Sequence, residues 1–293
     1  MAARRGRRLI VQCLVGLALF LVLVALAAAF LGSHLPVGGD RIALVAVEGT
    51  ITDARDIVAQ LHRYRDQPNV KAVVLRIDSP GGAVAPSQEI YTEVLKLRRE
   101  TGKLVVASLG GVAASGGYYV AAATDRIVAN PGTITGSIGV IMQIPNLGGL
   151  LEKVGIRATI IKAGRYKDLA SITRDLTEPE RQILQGVMDD VHSQFIEAVA
   201  TGRRMDRAKV EPLADGRIFS GRQALALGLV DELGDLADAV DRAARLVGIT
   251  GRPRIVQERR SRFSLWDLAR EQLGLSLPGP GAAPPLSIQY LWQ

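Results

Sequence analysis

Cysteine and aromatic residues are scarce in this 293-residue sequence. It has one cysteine, Cys13, so no disulfide can form within the chain. Aromatic residues make up 4% of the sequence, which leaves few side chains on which nucleic-acid bases could stack. Four arginines before residue 9 contribute to the net charge of +7, and the remaining cations are interspersed with acids. The composition argues against a disulfide-stabilised protein and against nucleic acid as a partner.

Histidine and the usual phosphate-binding glycine patterns are also lacking. The chain has three histidines, at positions 34, 62 and 192, and none lies in a turn where it would obviously meet a nucleophile. Its glycine-rich turns have neither the GxGxxG nor the GxxxxGK[ST] spacing. These absences disfavour a Ser-His-Asp triad and a nucleotide site, although His192 stays open as a base.

A long apolar run follows the arginines at positions 4, 5, 7 and 8. It extends from Leu9 to Leu31, which is long enough to cross a bilayer as a helix. A cleaved signal peptide is the alternative, because alanines 27–29 could be a cleavage site. The length favours an uncleaved anchor, with the arginines in the cytoplasm and the rest of the chain outside the membrane.

Composition divides the chain into four regions. We assign residues 1–32 to a basic start and membrane anchor, 33–40 to a stalk, 41–250 to the main domain and 251–293 to a C-terminal extension. In the main domain, short β-branched runs alternate with longer helical patterns, which is typical of an α/β fold. We predict strands at 41–51, 71–78, 103–110, 126–141 and 157–164, long helices at 54–67, 86–99, 177–201 and 222–247, and short ones after Ser115 and near Leu150.

Two glycine-rich turns each follow a predicted buried strand. One is DSPGGAV, residues 78–84, and the other is GVAASGG, residues 111–117. In the second, Ser115 offers a hydroxyl beside the backbone N–H of Gly116, and the first could bring another N–H from Gly82. A nucleophile with two such donors suits hydrolysis of an acyl bond. The bland alternative is that these glycines serve only turn geometry and packing.

Lysine is the alternative to histidine as the base. A lysine can accept a proton when burial lowers its pKa towards the working pH. Lys162 and Lys167 both lie in IIKAGRYKDLAS, and Lys167 lies in the loop after a predicted strand. Asp168 would raise the pKa of Lys167 if it came near, so we expect its carboxylate to point away.

Five segments in order resemble the signal peptide peptidase A family in its short bacterial form. They are DSPGG, ASGGYYVA, ANPGTITGSIGV, GRYKDLAS and FSGRQALALGLVDELG. The resemblance covers roughly Ile42 to Val247 and implies a ClpP/crotonase-like fold of stacked ββα units, preceded here by the predicted transmembrane helix. It also implies a serine endopeptidase that degrades signal peptides and other membrane-inserted segments at the outer face of the bacterial inner membrane.

The resemblance assigns roles to five residues. Ser115 matches the family nucleophile, Lys167 the general base and Ser137 the hydroxyl that supports the lysine. The N–H groups of Gly82 and Gly116 match the oxyanion hole. The family needs no metal or other cofactor, and adjacent protomers of a homo-oligomer share each active site. An ordinary turn role for Ser137 is the alternative.

Two other function classes compete with the peptidase. A crotonase-like enzyme acting on thioesters would use a similar pair of backbone donors, and a catalytically silent oligomeric membrane scaffold would need neither Ser115 nor Lys167. The anchor and both reactive groups weigh against the thioester enzyme, and the presence of both reactive groups weighs against the scaffold.

Two segments of the C-terminal extension are informative. The basic amphipathic segment Arg259–Leu275 would suit either a membrane surface or a neighbouring protomer. LSIQYLWQ, residues 286–293, is apolar enough to bind as an added strand in a substrate groove.

Overall fold

The computed structural model describes residues 16–24, 26, 39–258 and 289–291. Residues 16–24 and 26 are helical, and within the described ranges no helix is long and apolar enough to cross a membrane. The predicted anchor Leu9–Leu31 falls only partly within these ranges, so it stays a prediction. The predicted amphipathic segment Arg259–Leu275 and His34 lie outside them.

A mixed sheet of eight strands forms the centre of the main domain. Its strands are β1 (Arg41–Glu48), β2 (Val70–Ser79), β4 (Leu104–Ala114), β5 (Arg126–Ala129), β6 (Ile134–Gly136), β7 (Ile218–Ser220), β8 (Glu232–Leu233) and β9 (Arg254–Gln257). The order β7-β6-β4-β2-β1-β9 runs across the sheet, while β5 pairs with β4 and β8 pairs with β5. All of these pairs are parallel except β6–β7.

Strand β4 pairs with two different strands along one edge. Val106–Leu109 pair with β5, and Val112–Ala114 pair with β6. The second half of β4 therefore extends beyond the main body of the sheet, and Ser115 follows directly at its end.

Helices cover both faces of the sheet. They are α1 (Arg55–Arg65), α2 (Val84–Thr101), α3 (Gly116–Ala122), α4 (Gly148–Lys153), α5 (Glu178–Arg203), α6 (Arg207–Val210), α7 (Gly221–Ala226) and α8 (Leu236–Leu246). Successive residues of β1 face opposite sides, as a strand requires. Val45 and Val47 pack with α1, α2, α3 and α5, whereas Ile42 and Leu44 pack with α8. Burial on both faces explains why the central strands are almost wholly apolar.

The predicted α/β fold is confirmed, with three corrections among its elements. The strand predicted at 126–141 is two strands, β5 and β6, because a turn closed by the N–H of Thr133 on Asn130 O at 3.0 Å separates them and each pairs with a different part of β4. Segment 157–164 is not a strand: all of its residues are exposed, Ile161 by 97%, and no strand of the described chain pairs with it. An unpaired strand would leave its backbone groups without partners from a sheet.

The predicted helix at 222–247 is also wrong, because it is two helices, α7 and α8. Gly228 has a φ of +75° after α7, and Asp235 caps α8 by accepting a hydrogen bond from the backbone N–H of Asp238. The residues between them form β8, which pairs with β5.

A separate pair of strands lies beside the end of the sheet. It consists of β3 (Gly81–Ala83) and β10 (Gln289–Leu291), which run antiparallel. The other side of β3 forms a parallel bridge with Ile51, because Ile51 donates to Gly81 O at 2.8 Å and accepts from Ala83 N at 2.7 Å.

Candidate active site

Ser115 lies between the end of β4 and the start of α3. Its φ of +53° and ψ of −119° are unusual for a residue with a side chain, and such strain persists only where the surroundings hold it. Its N–H donates to Gly136 O at 2.8 Å, and its carbonyl accepts from Tyr119 N at 2.8 Å. The Ser115 side chain is buried, and its Oγ makes no hydrogen bond in the described part of the chain. The serine is therefore held rigidly with a hydroxyl free for a reacting partner.

The two glycine-rich turns meet beside this serine, as predicted. A Cβ on Gly116 would lie 3.3 Å from Gly82 N and 2.6 Å from Ser87 Oγ. A Cβ on Gly82 would lie 2.2 Å from Ile51 O, so this position cannot carry a side chain without a shift of the backbone. The absence of side chains thus brings the backbone groups of Gly82 and Gly116 together.

Ser137 lies next to Ser115 through the pairing of β4 with β6. Ala114 and Gly136 are partners in this pair, and each serine is the next residue along its own strand. Ser137 is buried, has a φ of +49°, and donates its N–H to Arg217 O at 2.8 Å. Its position next to the nucleophile candidate is compatible with the predicted supporting role.

Lys167 is not brought to Ser115 within one chain. It is exposed in a loop of consecutive turns, and its N–H donates to Gly164 O at 3.2 Å. Because the Oγ of Ser115 has no hydrogen-bond partner in the described residues, the Ser-Lys pair is not assembled there.

Asp168, the next residue, forms ion pairs away from Lys167. Its carboxylate pairs with Lys162 and also with Arg174, whose Nη2 lies at 2.9 Å. The Lys162 ammonium and the Arg174 guanidinium lower the pKa of Asp168. Arg174 also contacts Glu180 in the first turn of α5, at 2.6 Å.

Neither of the two histidines in the described part of the chain pairs with the serine. His62 pairs with Glu93 at 2.8 Å, while His192 lies on α5 with a buried Nε2 that has no hydrogen-bond partner in the described ranges. His192 therefore makes no hydrogen bond to Ser115 Oγ in this structure.

Other side chains shape the site although the sequence did not single them out as functional. Ser79 Oγ accepts from Gly81 N at 3.1 Å, and Ser87 Oγ donates to Ala83 O at 2.9 Å. Asp78 accepts from Val112 N at 3.1 Å, which links the two glycine-rich turns. The sequence indicated these two serines only through their place in DSPGGAVAPSQ, and their contacts depend on the geometry of the turn. Across the described residues, no group of three or more acidic, histidine or cysteine side chains could hold a metal ion.

Strand β10 lies on the free edge of β3. Tyr290 is the partner of Gly82, and Leu291 is the partner of Gly81. Strand β10 also contacts α3, the helix that follows Ser115. The predicted pairing of segment 286–293 as an added strand is thus present at Gln289–Leu291.

Comparison with known proteins gives two family matches. Residues 97–250 match peptidase family S49, and residues 38–133 match the Clp protease family. A protein named as a protease in Synechocystis is 48% identical over 210 residues, which cover 71% of this chain and 75% of that protein.

Two longer relatives are also named as a peptidase or a protease. A protein named as a signal peptide peptidase in Enterococcus faecium is 37% identical over 69% of this chain and 62% of its own length. Protease 4 of Haemophilus influenzae is 36% identical over 71% of this chain, but the match spans 35% of that protein. The chain therefore matches less than two thirds of these two relatives.

Proposed function

Because this chain belongs to peptidase family S49 and is a serine-type peptidase with a Clp protease-like domain, we propose that Ser115 is its nucleophile and Lys167 its general base. The observation that carries the proposal is that Ser115 lies beside the backbone of Gly82 and Gly116 with a buried Oγ that has no hydrogen-bond partner among the described residues. Family membership also favours a peptidase over a thioester-acting enzyme or a silent scaffold.

The proposed reaction needs no group beyond these residues and water. Ser115 Oγ attacks the carbonyl carbon of a peptide bond while neutral Lys167 Nζ accepts the hydroxyl proton. The N–H groups of Gly82 and Gly116 bind the oxyanion. The lysine donates its proton to the leaving amine, and it then accepts a proton from the water that hydrolyses the acyl-enzyme. Ser137 holds the lysine in position.

Lys167 reaches the serine of a neighbouring copy in this proposal. Helix α4 and the loop that follows it, which carries Lys167, expose several large apolar side chains, as expected of a surface that a partner covers. They include Leu150, Val154, Ile156, Ile160 and Ile161. Contact with a second copy would bury Lys167, and burial disfavours the charged form of a lysine.

The proposed substrates are apolar peptides at a membrane, including cleaved signal peptides. The name of the Enterococcus relative supports this class, as does the apolar run Leu9–Leu31. A membrane anchor would hold the main domain at the outer face of the bacterial inner membrane, where such peptides remain after cleavage.

Mixing of variant subunits tests the shared site. The full chain in detergent is assayed with a fluorogenic apolar peptide as wild type, Ser115→Ala, Lys167→Ala and an equimolar mixture of the two variants. We expect each variant to lose about 10³-fold or more in kcat. The mixture should regain part of the activity, because some sites then combine an intact serine with an intact lysine.

The control is Lys209→Ala, which removes an exposed lysine of α6. It should retain full activity. Activity in Ser115→Ala would overturn the nucleophile, and activity in Lys167→Ala would transfer the role of base to another group, with His192 the next candidate. Inactive single variants whose mixture stays inactive after subunit exchange would contradict sharing between copies.

A further inference from the structure

The loop that carries Lys167 lies outside regular secondary structure. Between the end of α4 and the start of α5, the described chain forms turns without a helix or strand. A general base must nevertheless be held within a fraction of an ångström of its working position. Contacts other than a helix or strand ladder must therefore fix this segment.

Arg174 makes the contacts that connect this loop to α5. Its Nε and Nη2 donate to Asp168 Oδ2 at 3.1 and 2.9 Å, and its Nη2 also donates to Asp168 O at 3.3 Å. On its other side, Nη1 and Nη2 donate to the two carboxylate oxygens of Glu180 at 2.9 and 2.6 Å. A planar guanidinium can form these paired contacts, whereas a lysine ammonium cannot.

Glu180 is fixed in turn by the start of α5. Its Oε2 accepts from the N–H and the hydroxyl of Thr177 at 2.9 and 2.8 Å, which forms a capping box. The side chains of Asp168 and Glu180 are 9% and 4% exposed, so both carboxylates need a cationic partner.

We propose that Arg174 is a positioning residue for Lys167: it ties the residue next to the base to the rigid start of α5 and neutralises the Asp168 carboxylate. The inference rests on the proposed role of Lys167. Lys162 is the second cation on Asp168. The other charged residues of the loop are Arg157, Asp175 and Arg165, which is stacked over Tyr166 at 5.1 Å.

The charge arrangement predicts an effect that lost packing alone would not produce. Without Arg174, Asp168 keeps only Lys162 as a partner and presents excess negative charge one residue from Lys167. That charge favours the protonated lysine, which cannot act as a base. The acidic limb of the pH profile should then move to higher pH.

The test compares Arg174→Gln, Arg174→Lys and the double variant Arg174→Gln/Asp168→Asn with wild type, using the full chain in detergent. For Arg174→Gln we expect kcat to fall about 10-fold or more and the acidic limb of kcat/KM to rise by about one pH unit. Arg174→Lys should keep the acidic limb at its wild-type pH but retain only part of the wild-type kcat. In the double variant, the acidic limb should return to its wild-type pH, while kcat should stay as low as in Arg174→Gln.

Arg181→Gln is the matched control, because Arg181 is an exposed arginine next to Glu180 in α5 and makes a long contact with Glu178, at 3.8 Å. It should match wild type. A lower melting temperature in Arg174→Gln with an unmoved limb would overturn the inference and leave a structural role. Retained activity in Lys167→Ala would instead overturn the proposed base, so the two failures are distinguishable.

A different observation concerns strand β10. The N–H of Ile51 donates to Gly81 O, and the carbonyl of Ile51 accepts from Ala83 N, so both hydrogen bonds lie on one side of β3. Because backbone groups of successive residues in a strand point to opposite sides, the N–H and carbonyl of Gly82 face the other side. That side is the edge paired with β10, where Tyr290 is opposite Gly82. The backbone of Tyr290 therefore lies opposite the N–H of Gly82, which is the proposed oxyanion donor.

We also infer that the segment Gln289–Leu291 occupies the position of a bound peptide and competes with substrates for Ser115. Backbone pairing with a strand edge is a common way to bind an extended peptide. A segment of the same chain competes at a high effective concentration, which lowers the fraction of sites open to substrate. This inference likewise rests on the proposed site.

Removal of this segment tests the competition. We compare the full chain with a chain ending at Pro285 and with Tyr290→Pro, which removes the backbone donor opposite Gly82. Ala283→Pro, in the proline-rich stretch, is the control. We expect the shortened chain and Tyr290→Pro to show about threefold or higher kcat/KM and faster hydrogen exchange at the N–H of Gly82, which faces β10.

A synthetic LSIQYLWQ peptide should inhibit the shortened chain by raising KM. Equal kcat/KM and equal exchange in all four chains would overturn the inference. The exchange measurement still decides the pairing if every chain proves inactive, a result that would count against the proposed function alone.

Discussion

Gly82 leaves no space for a side chain at the meeting point of the two glycine-rich turns. We expect Gly82→Ala to destabilise the fold by about 1–3 kcal/mol and to abolish activity, because the new Cβ would overlap Ile51 O and force β3 to shift. Chemical denaturation and the peptide assay measure both effects. Gly132→Ala, where nothing lies within 4 Å of the new Cβ, should change stability by less than about 0.5 kcal/mol. Equal behaviour of the two variants would contradict the close approach.

Glu180 should make stability depend on pH. Arg174 and the two Thr177 donors hold the pKa of its carboxyl below the usual range. A carboxyl with a lowered folded-state pKa stabilises the fold above its unfolded value of about 4.3, and this contribution is lost as pH falls below that value. Glu180→Gln should therefore weaken the protein at pH 7 more than at pH 2.5, as measured by denaturant melts. Asp175→Asn, an exposed acid that accepts from Asn146, is the control; an equal loss at both pH values would contradict the linkage.

At the scale of single residues, the sequence predicted which glycines and serines meet at the site, but it did not indicate a role for Arg174. Ser115, Gly82 and Gly116 lie in short turns that follow buried strands, so their neighbourhood can be predicted from strand order. The contacts of Arg174 with Asp168 and Glu180 join side chains six residues apart, and Arg174 itself lies in an irregular segment before α5. No periodic pattern indicates which of several arginines and acids will pair there.

At the scale of elements, the exposed loop should mediate assembly. Ile161→Asp should lower the oligomer mass and the activity together, because it places a charge on an apolar surface that we expect a second copy to cover. Light scattering after size exclusion measures the mass, and thermal melts should show a folded chain. Ile255→Asp, on the exposed part of β9, should leave the mass unchanged. An unchanged mass in Ile161→Asp would exclude this loop as the interface.

Element prediction succeeded where burial was continuous and failed where it was not. The central strands are apolar on both faces, and this pattern predicts buried strands. Segment 157–164 has the same β-branched composition, but the described chain gives it no strand to pair with. Residues 222–247 have a helical pattern, yet the turn at Gly228 and the pairing of β8 with β5 interrupt it.

At the scale of the whole molecule, the arginines and the apolar run should set the orientation. Alkaline phosphatase, which is active only outside the cytoplasm, is fused after residue 258. We expect an active reporter in the membrane fraction, because four arginines before Leu9 favour a cytoplasmic N-terminus. Removal of residues 1–32 should leave the reporter inactive in the soluble fraction. An inactive reporter on the intact chain would contradict the predicted orientation.

The separate positions of Ser115 and Lys167 bear on when a cell would acquire this activity. One chain holds the serine buried and the lysine exposed, without contact between them. Under the proposed mechanism, a newly made copy is idle until it meets others, and the rate per copy rises with its density in the membrane. Such a protease would need no removable pro-segment for latency, because dilution alone would keep it silent.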